Sequence, residues 1–211
     1  MRNLLSQAGK KVCVLLSGGL DSSVLAACLL RQGCEVHPLY VRSGFAWEKA
    51  ELAWLKRLLK AMKAPGLREL SQVQAPMRAA LKGHWSLTGR GVPGSKSPWD
   101  SVYLPGRNLV LLSQAGIFCA SRGIPALALA LLKGNPFPDA APGFLRLMEQ
   151  ALIAALGSRI KILAPFQRLT KAQVRRLAPG FPARLAFSCL KPRGLRHCGR
   201  CSKCAERRLS L

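Results

Sequence analysis

The chain is short of acid. Nine aspartates and glutamates stand against 33 lysines and arginines over 211 residues, a formal charge of +24. Such a field repels cations and attracts polyanions, whether nucleotides, nucleic acid or acidic substrates. The basic residues are scattered and no run exceeds two. The charge therefore allows a nucleic-acid partner without requiring one; a basic surface that only aids solubility is the alternative. Aromatic residues are also few, at 6%, and seldom interleave with the basic ones, which argues against base stacking along a single strand. No run approaches the roughly 18 uninterrupted apolar residues of a membrane span. The longest candidate, GIPALALALLKG from Gly123, is too short and is closed by Lys133. The opening MRNLLSQAGK has no long apolar segment behind its charge, so no secretory leader is expected. These absences predict a soluble, cytoplasmic protein with reduced thiols, in which clustered cysteines favour a metal over a disulfide. Internal repeats and low-complexity stretches are missing too. So are the GxxxxGK[ST] spacing of the common P-loop and the GxGxxG of dinucleotide folds.

What is present alternates. Hydrophobic residues make up 49%, ordinary for a globular chain, and the length predicts one large domain with a small appendage. Strands are expected at Val12 to Leu16, at EVHPLYV from Glu35, at Leu67 to Val73, at Ala126 to Leu132 and at RIKILAP. Helical spacing covers Asp21 to Arg31, Trp47 to Met62, Asn108 to Ser121 and Phe144 to Leu156, and Thr170 is placed to cap a short basic helix. Residues 74–106 are rich in Gly, Pro, Ser and Trp and read as a long functional or mobile connection. Strands alternating with helices predict an α/β fold, an open parallel sheet with helices on both faces. The expected division is an α/β domain over 1–180 and a cysteine-rich region over 181–211, with 74–106 lying over the active site.

Two stretches carry chemistry. After the first strand come Leu16, Ser17, Gly18, Gly19, Leu20, Asp21, Ser22 and Ser23. Two glycines free the backbone for close approach to a ligand, and the following helix offers unpaired N–H groups, so the turn suits phosphate. Asp21 would repel phosphate unless magnesium joined the two. A tight turn with Asp21 capping the helix is the plainer alternative. At the other end Cys189, Cys198, Cys201 and Cys204 are spaced C-x8-C-x2-C-x2-C. Four such thiolates suit a closed, structural zinc site. An iron–sulfur cluster, redox thiols, or His197 in place of one cysteine stay open. Cys13, Cys28, Cys34 and Cys119 lie in apolar stretches and read as buried small hydrophobes.

The turn S-G-G-x-D-S resembles the signature loop of the ATP pyrophosphatase (PP-loop) superfamily. With the cysteine array, the chain resembles the 7-cyano-7-deazaguanine synthase family. The middle segments that carry the likeness are WSLTG at Trp85, VYLPGRN at Val102, PFPDAAPGF at Pro136 and ILAPFQRLTK at Ile162. The resemblance implies ATP-dependent conversion of 7-carboxy-7-deazaguanine and ammonia to a nitrile. It implies ATP with magnesium held by residues 16–23, and Asp21, Arg107 and Lys171 as catalytic groups. It further implies Asn108 and Asp139 at the substrate, zinc at the four cysteines, and a homodimer. The family's Y-G-Q-R stretch after the second strand is not kept, although Gly44 and Glu51 hold plausible places. Its P-D-C-R is Pro138-Asp139-Ala140-Ala141 and its W-S-C-Y is Phe187-Ser188-Cys189-Leu190. Two alternatives follow: a paralogue activating another carboxylate, amide or tRNA base, and a nucleic-acid-binding zinc module.

Overall fold

The computed structural model describes residues 10–210; the expectation about a leader falls on residues 1–9, outside them. Five strands, β1 (Lys11–Leu15), β2 (Glu35–Arg42), β3 (Ser71–Gln74), β4 (Ala126–Ala128) and β5 (Lys161–Leu163), form one sheet in the order β3-β2-β1-β4-β5. Every pairing is parallel, as the α/β reading requires. Helices α1 (Leu20–Arg31), α2 (Glu48–Met62), α3 (Trp85–Thr88), α4 (Arg107–Ala120), α5 (Pro142–Leu156), α6 (Lys171–Arg176) and α7 (Ser202–Ser210) are the α-helices among the described residues.

The central strand is apolar at nearly every position because both faces are covered. Val12 and Val14 turn to one side and meet Leu25, Leu29, Leu55, Phe166 and Val174. Cys13 and Leu15 turn to the other and meet Leu112, Phe118, Leu145 and Leu152. This alternation follows from the two-residue period of a strand. On the second face α4 and α5 approach closely at Gly116, where a Cβ would stand 2.4 Å from a Leu152 methyl. Cys13, Cys28, Cys34 and Cys119 are all buried and unpaired, as expected.

Several boundaries differ from the sequence reading. β4 ends at Ala128 rather than Leu132, because the chain turns toward the sheet's end while Leu129 N–H still bonds Leu163 O at 2.9 Å. β3 begins at Ser71; Leu67 makes only a lone bridge to Val36. The 74–106 stretch holds α3 and a 3-10 turn at Trp99–Val102. It is anchored by a satellite core of Phe45, Trp47, Met77 and Leu104. Thr170 caps α6 as read, in a reciprocal box with Gln173. Helix α7 went unread because cysteines and charged residues replace an apolar stripe in SKCAERRLS.

Candidate active site and metal centre

The sheet order reverses between β1 and β4, and ligands in such folds bind beyond the strand ends at that point. A cleft of about 520 Å³ opens there. Leu16 N–H bonds Leu39 O, and the chain then turns through Ser17 and Gly18. Gly18 has φ +74°, a left-handed conformation, and a Cβ there would stand 3.1 Å from Leu55 Cβ. Gly19 caps α1 without a side-chain bond, so the first N–H groups of that 12-residue helix face the cleft unserved by a cap. Ser17 and Ser22 share a hydrogen bond at 3.3 Å, and Ser17 Oγ accepts from Gly19 N–H at 3.3 Å. Leu16, Ser17, Gly19, Leu20, Asp21 and Ser22 line the cleft; Gly18 and Ser23 stand behind its wall.

Asp21 is the charged member of the loop. Its Oδ1 is buried and has no partner among the described residues. Its Oδ2 lies 3.8 Å from Lys171 Nζ. Burial pushes the Asp21 carboxyl above its ordinary range, against the pull of Lys171. Lys171 also bonds Glu206, which Lys203 holds at 2.7 Å. Burial pushes Glu206 up, but Lys203 and Lys171 outweigh it and the carboxyl is lowered overall. The loop, α6 and α7 thus meet in one ion-pair network.

The opposite wall comes from α4 and the turn before α5. Arg107 lies over the Phe45 ring at 5.8 Å, with its Nε buried and unpartnered among the described residues. Asn108 and Asp139 are brought together: Asn108 N–H donates to Asp139 Oδ2 at 2.8 Å, and its side-chain amide reaches Asp139 O at 3.1 Å. Asp139 therefore caps α4 and is largely occupied in doing so. Sequence reasoning gave no role to Tyr40 or Glu206, and marked Glu51 only by its place in a family stretch. Tyr40 donates to Glu51 Oε2 at 2.7 Å, and both line the cleft. The available signal was an acid on the buried stripe of α2, where Glu51, Leu55 and Leu58 share one face.

The four cysteine sulfurs lie within 4.8 Å of one another. Cys198 and Cys204 are 3.8 Å apart, which is the edge of a tetrahedron with metal–sulfur bonds of about 2.3 Å. Backbone N–H groups of Cys198, Leu190 and Cys201 point at Cys189, Cys201 and Cys198 sulfurs respectively, which suits thiolate charge. A single tetrahedral ion fits this space. His197 does not join the set; its ring lies against Phe187 and Trp54. The centre is tied to the glycine loop, because Phe187 N–H bonds Gly18 O at 2.8 Å.

The chain is similar to a 4-thiouridine synthetase solved with RNA and bound ATP (17% identity, TM-score 0.54, 90% of this chain and 48% of that one). It is also similar to a predicted subunit of tRNA methyltransferase from Methanocaldococcus jannaschii (18%, TM-score 0.52, 79% and 73%). At these identities the likeness is one of fold. In sequence it is 35% identical to a 7-cyano-7-deazaguanine synthase from Anaeromyxobacter sp. (strain Fw109-5), across 94% of this chain and 90% of the relative. It is 34% identical to one from Anaeromyxobacter dehalogenans, across 99% and 93%. The model of the family described as queuosine biosynthesis protein QueC matches residues 11–211, and the chain belongs to that family.

Proposed function

We propose that this protein converts 7-carboxy-7-deazaguanine and ammonia to 7-cyano-7-deazaguanine at the expense of ATP. Family membership and the relatives' names support the reaction. The observation that carries the assignment to this cleft is the uncapped N-terminus of α1 beside the orphaned Asp21 Oδ1. ATP supplies the activation: it loads AMP onto a carboxylate oxygen and later onto the amide oxygen, making each a leaving group. Backbone groups of residues 16–20 and the hydroxyls of Ser17 and Ser22 form the phosphate cradle, with Ser23 packed behind it. Asp21 holds magnesium, which relieves the burial of its carboxylate. Lys171 and Arg107 offset negative charge from two sides. Asp139 keeps lone pairs for a ring N–H, since a carboxylate accepts about four bonds, and Asn108 fixes its position. Zinc at Cys189, Cys198, Cys201 and Cys204 holds the tail against the loop and does no chemistry. The protein acts in the cytoplasm as a homodimer, a reading supported by exposed apolar side chains on α4 and α5, Ile117 and Leu147 among them.

Zinc-loaded protein is to be mixed with ATP, magnesium, ammonium and 7-carboxy-7-deazaguanine and the product mass followed. The nitrile is the expected product. ATP binding without turnover of this acid would move the assignment to a paralogue acting on another acceptor.

A further inference from the structure

Glu51 is a carboxylate of the cleft that the reaction above leaves without a task and that no lysine holds in an ion pair among the described residues. It is 7% exposed, and its Oε2 is bonded by Tyr40. The turn of α2 that bears it presses on the glycine loop, since a Cβ at Gly18 would lie 3.6 Å from Glu51 O. Tyr40 reaches it from β2, next to Leu39, whose carbonyl accepts the N–H of Leu16 at the loop's start. Arg107, whose Nε has no partner among the described residues, lines the same cleft. A buried carboxylate therefore stands beside the loop at which an oxygen is to be made to leave.

Three groups set its charge, Tyr40 on β2, Glu48 on its own helix and Arg107 on α4; Asp21 lines the same cleft. Burial first, with Glu48 adding to it, outweighs the downward pull of Arg107 and Tyr40 and leaves the Glu51 carboxyl raised to about 7. Such a group exchanges its proton readily at neutral pH.

We infer that Glu51 is the proton acceptor of the nitrile-forming step, with Tyr40 as its positioning residue. The inference rests on the reaction proposed above. In that step the nitrogen of the AMP-bearing amide gives up its last proton to Glu51 Oε1. The N–H electron pair becomes the third carbon–nitrogen bond. The carbon–oxygen bond breaks, and its pair leaves on the oxygen of AMP. Atoms and charge balance with no further reactant.

The test follows nitrile formation from the deazaguanine amide with ATP and magnesium, beside amide formation from the acid with ammonium. Glu51→Gln is expected to slow the nitrile step about 100-fold or more and amide formation less than tenfold. The wild-type nitrile rate is expected to rise with pH about a midpoint near 7, and the variant to lose that rise. Tyr40→Phe, which removes a bond favouring the charged form, is expected to move the midpoint to higher pH. Equal losses in both steps, or a wild-type nitrile rate in Glu51→Gln, would overturn the inference while leaving the reaction standing. If Glu51→Gln does not fold, Tyr40→Phe decides, and an unmoved midpoint overturns it. No nitrile from wild type with either substrate would overturn the reaction itself and the inference with it.

Discussion

The cysteine centre and the glycine-loop cleft sit a hydrogen bond apart and are satisfied in opposite ways. Around the cysteines the sulfurs serve one another and take backbone N–H bonds. The buried polar atoms left over nearby, His197 Nε2 and Ser202 Oγ, are on neutral groups; burial and Arg207 push His197 down. In and around the cleft the leftover atoms include two on charged groups, Asp21 Oδ1 and Arg107 Nε, beside the neutral hydroxyls of Ser23 and Ser43. An unmet buried polar group costs about 1–3 kcal/mol, and more when ionic. The closed centre is what a structural metal site looks like. The open one stores unmet charge that only a charged ligand discharges.

The largest expected effect comes from breaking the closed centre. Metal binding in small zinc modules is worth about 10–16 kcal/mol of folding free energy. Cys201→Ala, or a chelator, should therefore unfold the 186–210 segment, read as fast amide exchange there. Because Phe187 bonds Gly18, ATP affinity should fall about tenfold or more with it. Unchanged ATP affinity after metal loss would show that the two regions are not coupled.

Next in size is Asp21→Asn, which removes the charge but keeps the shape. Turnover should drop about 1000-fold, near 4 kcal/mol of transition-state stabilisation. Stability should move the other way. The folded carboxyl is raised above its unfolded value, so its contribution is fully present below the unfolded pKa and is lost as pH rises through the folded one. At neutral pH the native Asp21 is a burden, and the ligand-free Asn variant should melt no lower than wild type. A lower melting point would make Asp21 a structural cap instead.

Both ends of this contrast were legible in the sequence, for physical reasons. The glycine pair and the cysteine spacing are local, and local spacing dictates what can wrap an anion or a metal. The parallel sheet was legible because β1 is apolar at nearly every position and short apolar runs alternate with helical spacing along the chain. What was hidden depends on long-range meeting. Asp139 lies 31 residues from Asn108, and Glu206 lies 35 from Lys171. Helix α7 has no apolar stripe because its partners are a metal set and a salt-bridge network. Glu51 was half legible: a carboxylate on a buried helix stripe needs a partner, but Tyr40 becomes that partner only once β2 and α2 pack.

A smaller effect is expected from the backbone of the loop itself. Gly18→Ala places a Cβ in a left-handed residue, at about 1–2 kcal/mol, and 3.1 Å from Leu55. The total should be about 2 kcal/mol by denaturant melting, with weakened ATP binding because α2 must shift. A silent variant would mean that the tight approach of α2 is not needed to shape the cradle.

The smallest effect belongs to charge placed where water can answer it. Glu35, at the start of β2, meets Arg68 and His37, each at 2.7 Å. Arg68 first, and His37 with it, holds the Glu35 carboxyl down to about 2. The sign is opposite to that of Asp21: whatever stability the pair gives is present above the unfolded pKa and fades as pH falls toward 2. Exposure and salt screen such pairs heavily. Glu35→Gln should therefore leave the pH 7 melting point almost unmoved, and added salt should erase what difference there is. Asp21 and Glu35 are both carboxylates beside a basic side chain, so a large effect at Glu35 would mean that ion pairing, rather than burial without a ligand, sets the contrast between the cleft and the rest of the molecule.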